Sequence, residues 1–386
     1  MEKTPLHIMI ADPHLQGGGQ VRYVATLAQG LHEKGHRVTI ACRPGSVLAD
    51  HARGCATALD RFQFRGGLRM RSWTNDHREA LRFIRNEKPD ILHVNGSQDH
   101  WTFAFANGML GKPVPLVRTR HNTYKVKTNL PNRILNRKHT DFQIVVCHSV
   151  RETLSRHPAF CADRMLTIHN GVDAHRYKAD TEARRRARAE FHYSDNDIVC
   201  GIVARLVPAK GHTFLFQAAA LLQEKHPELR IAVLGQGVLE EALRKEAETL
   251  GIADRVQFLG FRDDMNYCVQ AFDIGAQPSI DCDTSSFSMK EQMAAGIPLI
   301  ASDYGGLTEI IDDGVEGLIV PAGTVEPLAA ALERLLSDAS LRTAMAEKGK
   351  ARVAAEFSSE VFVSRTLEVY QQLAAEKRRR KESASC

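Results

Sequence analysis

Residues 230–260 read RIAVLGQGVLEEALRKEAETLGIADRVQFLG. RIAVLG (230–235) is a short apolar run closed by glycine, as in a strand covered on both faces. Residues 238–250 recur apolar at helical spacing, and RVQFLG (255–260) repeats the strand pattern. A strand, a helix and a strand in that order make a crossover unit, which joins parallel strands.

The same alternation extends both ways. DIVCGIVA (197–204) precedes it, with a helix expected from Gly211 to His226, and FDIGAQ (272–277) and IPLIAS (297–302) follow. Earlier come HIMIA (7–11), RVTIA (37–41), ILHV (91–94), PLVRT (115–119) and QIVV (143–146), with amphipathic segments at 20–34 and 76–87. Two doubly wound parallel α/β domains in tandem account for this series, and 386 residues suffice for a core in each. The segment between IHNGVD (168–173) and Asp197 is polar and strand-free, so the join falls there. The expected division is 1–175, 176–358 and a terminal helix and basic tail, 359–386. ARRRARAEF (183–191) reads as a solvated helix face, and the tail beyond Arg380 is expected to be disordered.

Charge gives a narrower signal. The net charge of +5 is modest, yet His100 to Thr140 holds no acidic residue and eight cations: Lys112, Arg118, Arg120, Lys125, Lys127, Arg133, Arg137 and Lys138. Such a run fits a solvated face or a surface that meets anions, such as phosphates, anionic lipid or an acidic glycan. No nucleic-acid-binding motif accompanies it. Eight cysteines without a C-x-x-C pair, several in apolar runs, suit free thiols in a reducing, cytoplasmic setting. No secretory signal and no membrane-spanning run is evident, so any membrane contact is expected to be peripheral.

Four segments carry chemistry. Gly17, Gly18 and Gly19 lie between a strand and a helix, where backbone N–H groups can face a phosphate, although G-x-G-x-x-G would need glycine at Arg22. His121 ends a strand, where open α/β sheets bind ligands, flanked by Arg118 and Arg120. Arg205 and Lys210 follow Ala204 on a strand-to-helix loop, placed to clamp a diphosphate. Finally PSIDCDTSSFSMKEQMAAGIPLIASDYGG (278–306) places Asp283 on a loop and Glu291 in the next helix. Ser285, Ser286 and Ser288 stand where they can cap that helix or meet an anion. Asp281-Cys282-Asp283 spells a metal-binding D-x-D, but two carboxylates alone suit a divalent cation poorly. No metal is expected.

These motifs resemble the retaining glycosyltransferases of family 4. Asp283, seven residues and Glu291 match a carboxylate pair; QMAAGIP (292–298), SDYGG (302–306), ARLVPAKG (204–211) and NGVD (170–173) follow the family's order. The resemblance implies a GT-B fold, two Rossmann-like domains facing each other across a cleft, with the terminal helix returning to the first domain. It implies transfer from a nucleoside diphosphate sugar to a glycan or lipid-linked acceptor in bacterial envelope or lipopolysaccharide synthesis, without a cofactor. His121, Arg205, Lys210 and Asp283 are the implied catalytic group. Gly17–Gly19, Ser285, Ser286, Phe287, Ser288 and Glu291 are the implied donor site. Aspartate replaces the usual glutamate at 283, Ser285 and Ser286 replace an aromatic-glycine pair, and Ala204 replaces glycine, which leaves the sugar open. A non-catalytic sugar-nucleotide-binding member, a phosphorylase and an epimerase on the same fold remain as alternatives.

Overall fold

The computed structural model describes residues 4–65, 70–124 and 126–385. These fall into two units, one of residues 1–171 with 359–386 and the other of 172–358.

The first unit holds a sheet of seven parallel strands: β1 His7–Ala11, β2 Arg37–Ala41, β3 Thr57–Leu59, β4 Ile91–Val94, β5 Leu116–Arg120, β6 Phe142–Val145 and β7 Met165–Thr167. The spatial order is β3-β2-β1-β4-β5-β6-β7. All five residues of HIMIA are buried, as a central strand covered on both faces requires. Its helices are α1 Gly19–Glu33, α2 Val47–His51, α3 Met70–Glu87, α4 Ser97–Met109, α5 Leu130–Lys138 and α6 His148–Ser155. α1 buries Val21, Val24, Leu27, Ala28 and Leu31, one stripe at helical spacing.

The second unit has six parallel strands: β8 Ile198–Val203, β9 Leu229–Leu234, β10 Val256–Gly260, β11 Ile274–Gln277, β12 Leu299–Ser302 and β13 Gly317–Val320, ordered β10-β9-β8-β11-β12-β13. Around it lie α7 Thr181–Glu190, α8 His212–Leu222, α9 Glu240–Thr249, α10 Met265–Cys268, α11 Phe287–Ala294, α12 Glu326–Ser337 and α13 Ala339–Arg352. The strand–helix–strand reading of 230–260 corresponds to β9, α9 and β10, with β9 and β10 parallel.

The terminal helix α14, Ser359–Ser385, belongs to the first unit. Phe362 packs on Tyr23 of α1 at 4.7 Å between ring centroids, and a methyl at Gly30 would reach Val363 at 2.5 Å. Only glycine allows the two helices to approach so closely there.

Two expectations are corrected. The tail beyond Arg380 continues as helix to Ser385, because KESAS contains no glycine or proline to stop it. The arginine run of α7 is not merely solvated. Arg188 is buried, and it shares Asp273 with Arg184 at 3.1 and 2.6 Å, fastening α7 to the strand edge.

Seven cysteines form no disulfide among the described residues; five are buried, and Cys282 is exposed. Burial pushes the Cys200 thiol up to about 12, so it stays protonated.

Candidate functional site

In each sheet the strand order reverses once, between β1 and β4 and between β8 and β11. Crossovers on the two sides of such a reversal lie on opposite faces and leave a crevice at the carboxyl ends of the strands. Every sequence-predicted site residue lies at or just beyond one of these two edges.

In the first unit, Gly17 and Gly18 are exposed between β1 and α1, and Gly19, also exposed, opens α1. Gly18 has φ +149°, a backbone that favours glycine, whereas a methyl at Gly17 would meet nothing within 4 Å. His121 follows β5. Its Nε2 is 2.9 Å from Asn95 Oδ1, while Asn95 Nδ2 donates to Ala11 O at 3.1 Å. With the amide so fixed, the Asn95 oxygen accepts and His121 carries its proton on Nε2. Tyr23 stands edge-on to the imidazole at 4.7 Å. Burial, then the charges of Arg118, His93 and His14, hold His121 well below the usual histidine range, so the ring is neutral at pH 7.

The flanking cations are not a surface pair. Arg118 is buried, bonded to Gly96 O and 4.0 Å from Asp99. Arg120 is largely covered and lies over the Phe160 ring at 5.2 Å. Arg118 and Arg120 therefore leave the acid-free surface expected over His100 to Thr140, and Lys125 lies outside the described residues. Lys127, Arg133, Arg137 and Lys138 are exposed.

Sequence reasoning missed a pair on the glycine loop. Asp12, fully buried, accepts from His14 N at 2.8 Å, His14 Nδ1 at 3.0 Å and Gln20 Nε2 at 2.5 Å. The carboxylate raises the His14 pKa by its hydrogen bond. The spacing D-x-H is the only trace of this in the sequence.

In the second unit, Arg205 and Lys210 follow β8 and behave differently. Arg205 is exposed and forms no ion pair among the described residues. Lys210 donates to Asp283 Oδ2 at 2.7 Å, their side chains 14% and 7% exposed. Gln277 Nε2 and Ser279 Oγ donate to the same oxygen, each at 2.9 Å. Lys210 and Asp283, expected to serve diphosphate and sugar separately, are thus one ion pair. Gln277 and Ser279 are further members that the sequence did not announce. Gly211, φ +71°, and Gly305, φ +61°, admit no side chain: a methyl would strike Pro278 O at 1.9 Å or Asp283 O at 2.2 Å. The loops before α8 and after β12 are therefore locked against the Asp283 loop.

Ser286 caps α11 by accepting from Met289 N, and its hydroxyl is 2.9 Å from Ser288 Oγ, which in turn donates to Gln277 Oε1 at 3.2 Å. Ser285 Oγ accepts from the fully buried Lys290 at 2.7 Å. Phe287 opens the helix, and Glu291, one turn on, is 1% exposed. Asp281 is drawn elsewhere: it accepts from Tyr304 OH at 2.8 Å and from Cys282 N at 2.7 Å. The two D-x-D carboxylates thus serve different protein partners. Gly296, φ +79°, ends the helix as the expected C′ glycine.

The model for "Glycosyltransferase Family 4" matches residues 17–176, and that for "Glycosyl transferases group 1" matches 183–352. The chain belongs to the family 4 glycosyltransferases. Putative glycosyltransferase EpsD of Bacillus subtilis is 31% identical over 209 residues, 54% of each chain. The lipopolysaccharide core biosynthesis glycosyltransferase LpsE of Rhizobium meliloti is 27% identical over 93% of this chain and 96% of its own. Several matches, EpsD's among them, span only about half of the relative's length. Anabaena HepE, solved in complex with UDP-glucose, superposes with a TM-score of 0.81 at 19% identity, covering 95% of this chain and all of that one. That likeness gives the fold: GT-B, two Rossmann-like units.

Proposed function

We propose that this protein transfers a glycosyl group, with retention, from a nucleoside diphosphate sugar to a hydroxyl of a glycan or lipid-linked acceptor in bacterial envelope glycan assembly. The observation that carries the reading is the knot at the end of β11, where Lys210, Gln277 and Ser279 converge on Asp283 beside the exposed Arg205. A preassembled polar cluster next to an open cation and a capped helix N-terminus suits a ligand that carries both hydroxyls and a diphosphate.

In this reading the C1–O bond to the diphosphate breaks and its electron pair leaves with the phosphate. The acceptor oxygen bonds to C1, and its proton passes to the departing diphosphate. Arg205, Lys210 and the N–H groups after Thr284 stabilise that leaving charge, which grows in the transition state. Asp283 orients sugar hydroxyls, and Glu291 serves the ribose. Gly17–Gly19 contribute to donor binding and the neutral His121 orients the acceptor; a neutral ring donates from Nε2 without adding charge. The cations do the work of a metal, so transfer proceeds without a divalent ion or cofactor. Full activity in EDTA supports this, and loss restored by Mn²⁺ overturns it. The exposed cations of residues 127–138 favour peripheral contact with an anionic membrane.

A thermal-shift screen of uridine, guanosine, adenosine and cytidine diphosphate sugars tests the donor class. A ligand at about 100 times its Kd adds roughly 2.7 kcal/mol to the native state, so one donor should stand out. No shift with any of them would remove the reading.

A further inference from the structure

Helix α4 buries Phe103, Ala104 and Ala106 together with the polar Asp99, His100, Thr102 and Asn107, yet leaves Trp101, Phe105 and Met109 39%, 46% and 62% exposed. These three recur every fourth residue, which sets them along one line of the helix surface. The solvent-facing side of a helix that meets only water is polar. Trp73 of α3, 40% exposed, extends the line sideways, with its ring 5.5 Å from Phe105 and 4.0 Å from His77. The chain has two tryptophans, and both lie in this patch. A contiguous apolar patch of this kind marks an interaction surface, whereas scattered exposed residues do not.

The neighbouring helix supplies the charge. Leu135 of α5 packs in the same core cluster as Phe103 and Ala104 of α4, and His100 Nε2 lies 2.8 Å from Thr140 Oγ1, just beyond α5. α5 therefore lies beside α4 on the same face of the sheet. It exposes Leu130 and Ile134 together with Arg133, Arg137 and Lys138. The only acidic residue on α4 is the buried Asp99, and α5 has none.

We propose that the outer face of α4 and α5, with Trp73, docks on an anionic lipid bilayer. Trp101, Phe105 and Met109 enter the headgroup boundary while Arg133, Arg137 and Lys138 meet lipid phosphates. Tryptophan and phenylalanine prefer that boundary, and cations beside an apolar face complement an anionic leaflet. This builds on the membrane contact proposed above and changes its nature. Insertion of apolar side chains holds the protein, and charge alone would not suffice.

The two tryptophans make the test direct. Vesicles of phosphatidylcholine, and of three parts phosphatidylcholine to one part phosphatidylglycerol, are mixed with the full chain. Sedimentation and tryptophan emission are read together. The anionic vesicles should bind the protein and shift its emission to shorter wavelength. A fraction should stay bound at about 1 M salt, where charges are screened beyond about 3 Å. The variant Trp101→Ser/Phe105→Ser/Met109→Ser should lose about tenfold or more in vesicle affinity, including that salt-resistant fraction. Arg133→Gln/Arg137→Gln/Lys138→Gln should weaken binding in low salt only. Circular dichroism and the donor thermal shift confirm that each variant is folded. Equal binding of the serine variant, or binding without an emission shift, overturns the α4 face as the anchor. A blue shift that grows with protein concentration and needs no lipid assigns the face to a second copy of the chain instead. If the wild type binds no vesicle but keeps its donor shift, membrane docking falls and the transferase reading stands.

Discussion

The two sheet edges are built on opposite plans. At the β11 edge nearly every polar group is tied to another: Lys210, Gln277 and Ser279 to Asp283, Ser288 to Gln277, Lys290 to Ser285. At the β1 edge Asp12 ties His14 and Gln20, but the glycine run itself stands open, and a methyl at Gly17 or Gly18 would touch nothing. Charge is handled oppositely too. The second unit presents Arg205 to solvent, while the first buries Arg118 and keeps His121 neutral. A preorganised edge suits a ligand whose leaving charge must be met without reorganisation. An open edge suits a partner of variable shape.

The largest expected effects fall on the tied edge, where two neighbouring cations should respond differently. Arg205→Ala should lower kcat/KM by an amount worth about 2–4 kcal/mol, with the melting temperature unchanged, since Arg205 forms no ion pair among the described residues. Lys210→Ala should lose comparable turnover and also roughly 1–3 kcal/mol of stability, because it leaves the Asp283 carboxylate buried without its cation. Paired measurements of kcat/KM and denaturant midpoint separate the two. Near-normal kcat/KM in both variants would remove the diphosphate clamp, and an unchanged midpoint for Lys210→Ala would show that the ion pair is not structural.

That split marks how far the sequence could be read. The alternation of apolar runs and helical faces carried both sheets, because burial of parallel strands on two faces leaves its imprint in every strand. The motif loops were placed correctly at strand ends. What could not be read was pairing across loops: Lys210 and Asp283 are 73 residues apart, and nothing local says that they touch. Arg118 and Arg120 counted as surface cations for the same reason. Their burial depends on Gly96, Asp99 and Phe160, which the chain brings in from elsewhere. Helix α4 was hard to read for a further reason: it carries apolar residues on both faces, Phe103, Ala104 and Ala106 inside and Trp101, Phe105 and Met109 outside, so no single apolar stripe stands out.

A middle-sized effect distinguishes the edges by pH. Burial lowers His93 to about 3 and holds His121 far below its ordinary value, while the Asp12 carboxylate raises His14. For the two depressed groups the unfolded chain binds protons that the folded one refuses, so stability falls as pH drops below about 6.5. His14 has the opposite sign: it adds stability at low pH that is lost as pH rises through its elevated pKa. His100 and other histidines of this unit are depressed by burial in the same way, whereas Asp76 and Asp99, raised by burial, act with His14; the depressed histidines are the more numerous, so acid should destabilise the first unit on balance. His93→Gln should flatten the fall in melting temperature between about pH 6.5 and 4. An unchanged slope would mean that His93 takes up its proton without opening the fold. Direct NMR titration of the imidazoles should show His14 protonating above the ordinary histidine value and His121 remaining neutral.

The smallest effects on turnover belong to the open loop, and there the contrast lies within two adjacent residues. Gly18 sits at φ +149°, where an L side chain is strained, so Gly18→Ala should cost roughly 1–3 kcal/mol in a denaturant melt. Gly17 carries no positive φ, and a methyl there meets nothing within 4 Å, so Gly17→Ala should leave stability unchanged or slightly raised through the unfolded chain. If a substrate approaches the backbone of this loop, Gly17→Ala should nonetheless raise the KM for that substrate, since the added methyl occupies space that the backbone keeps clear. A variant of native stability with a raised KM assigns Gly17 to ligand approach. Native stability with native KM reduces the glycine run to a turn, and leaves Gly18 as its one conformational requirement.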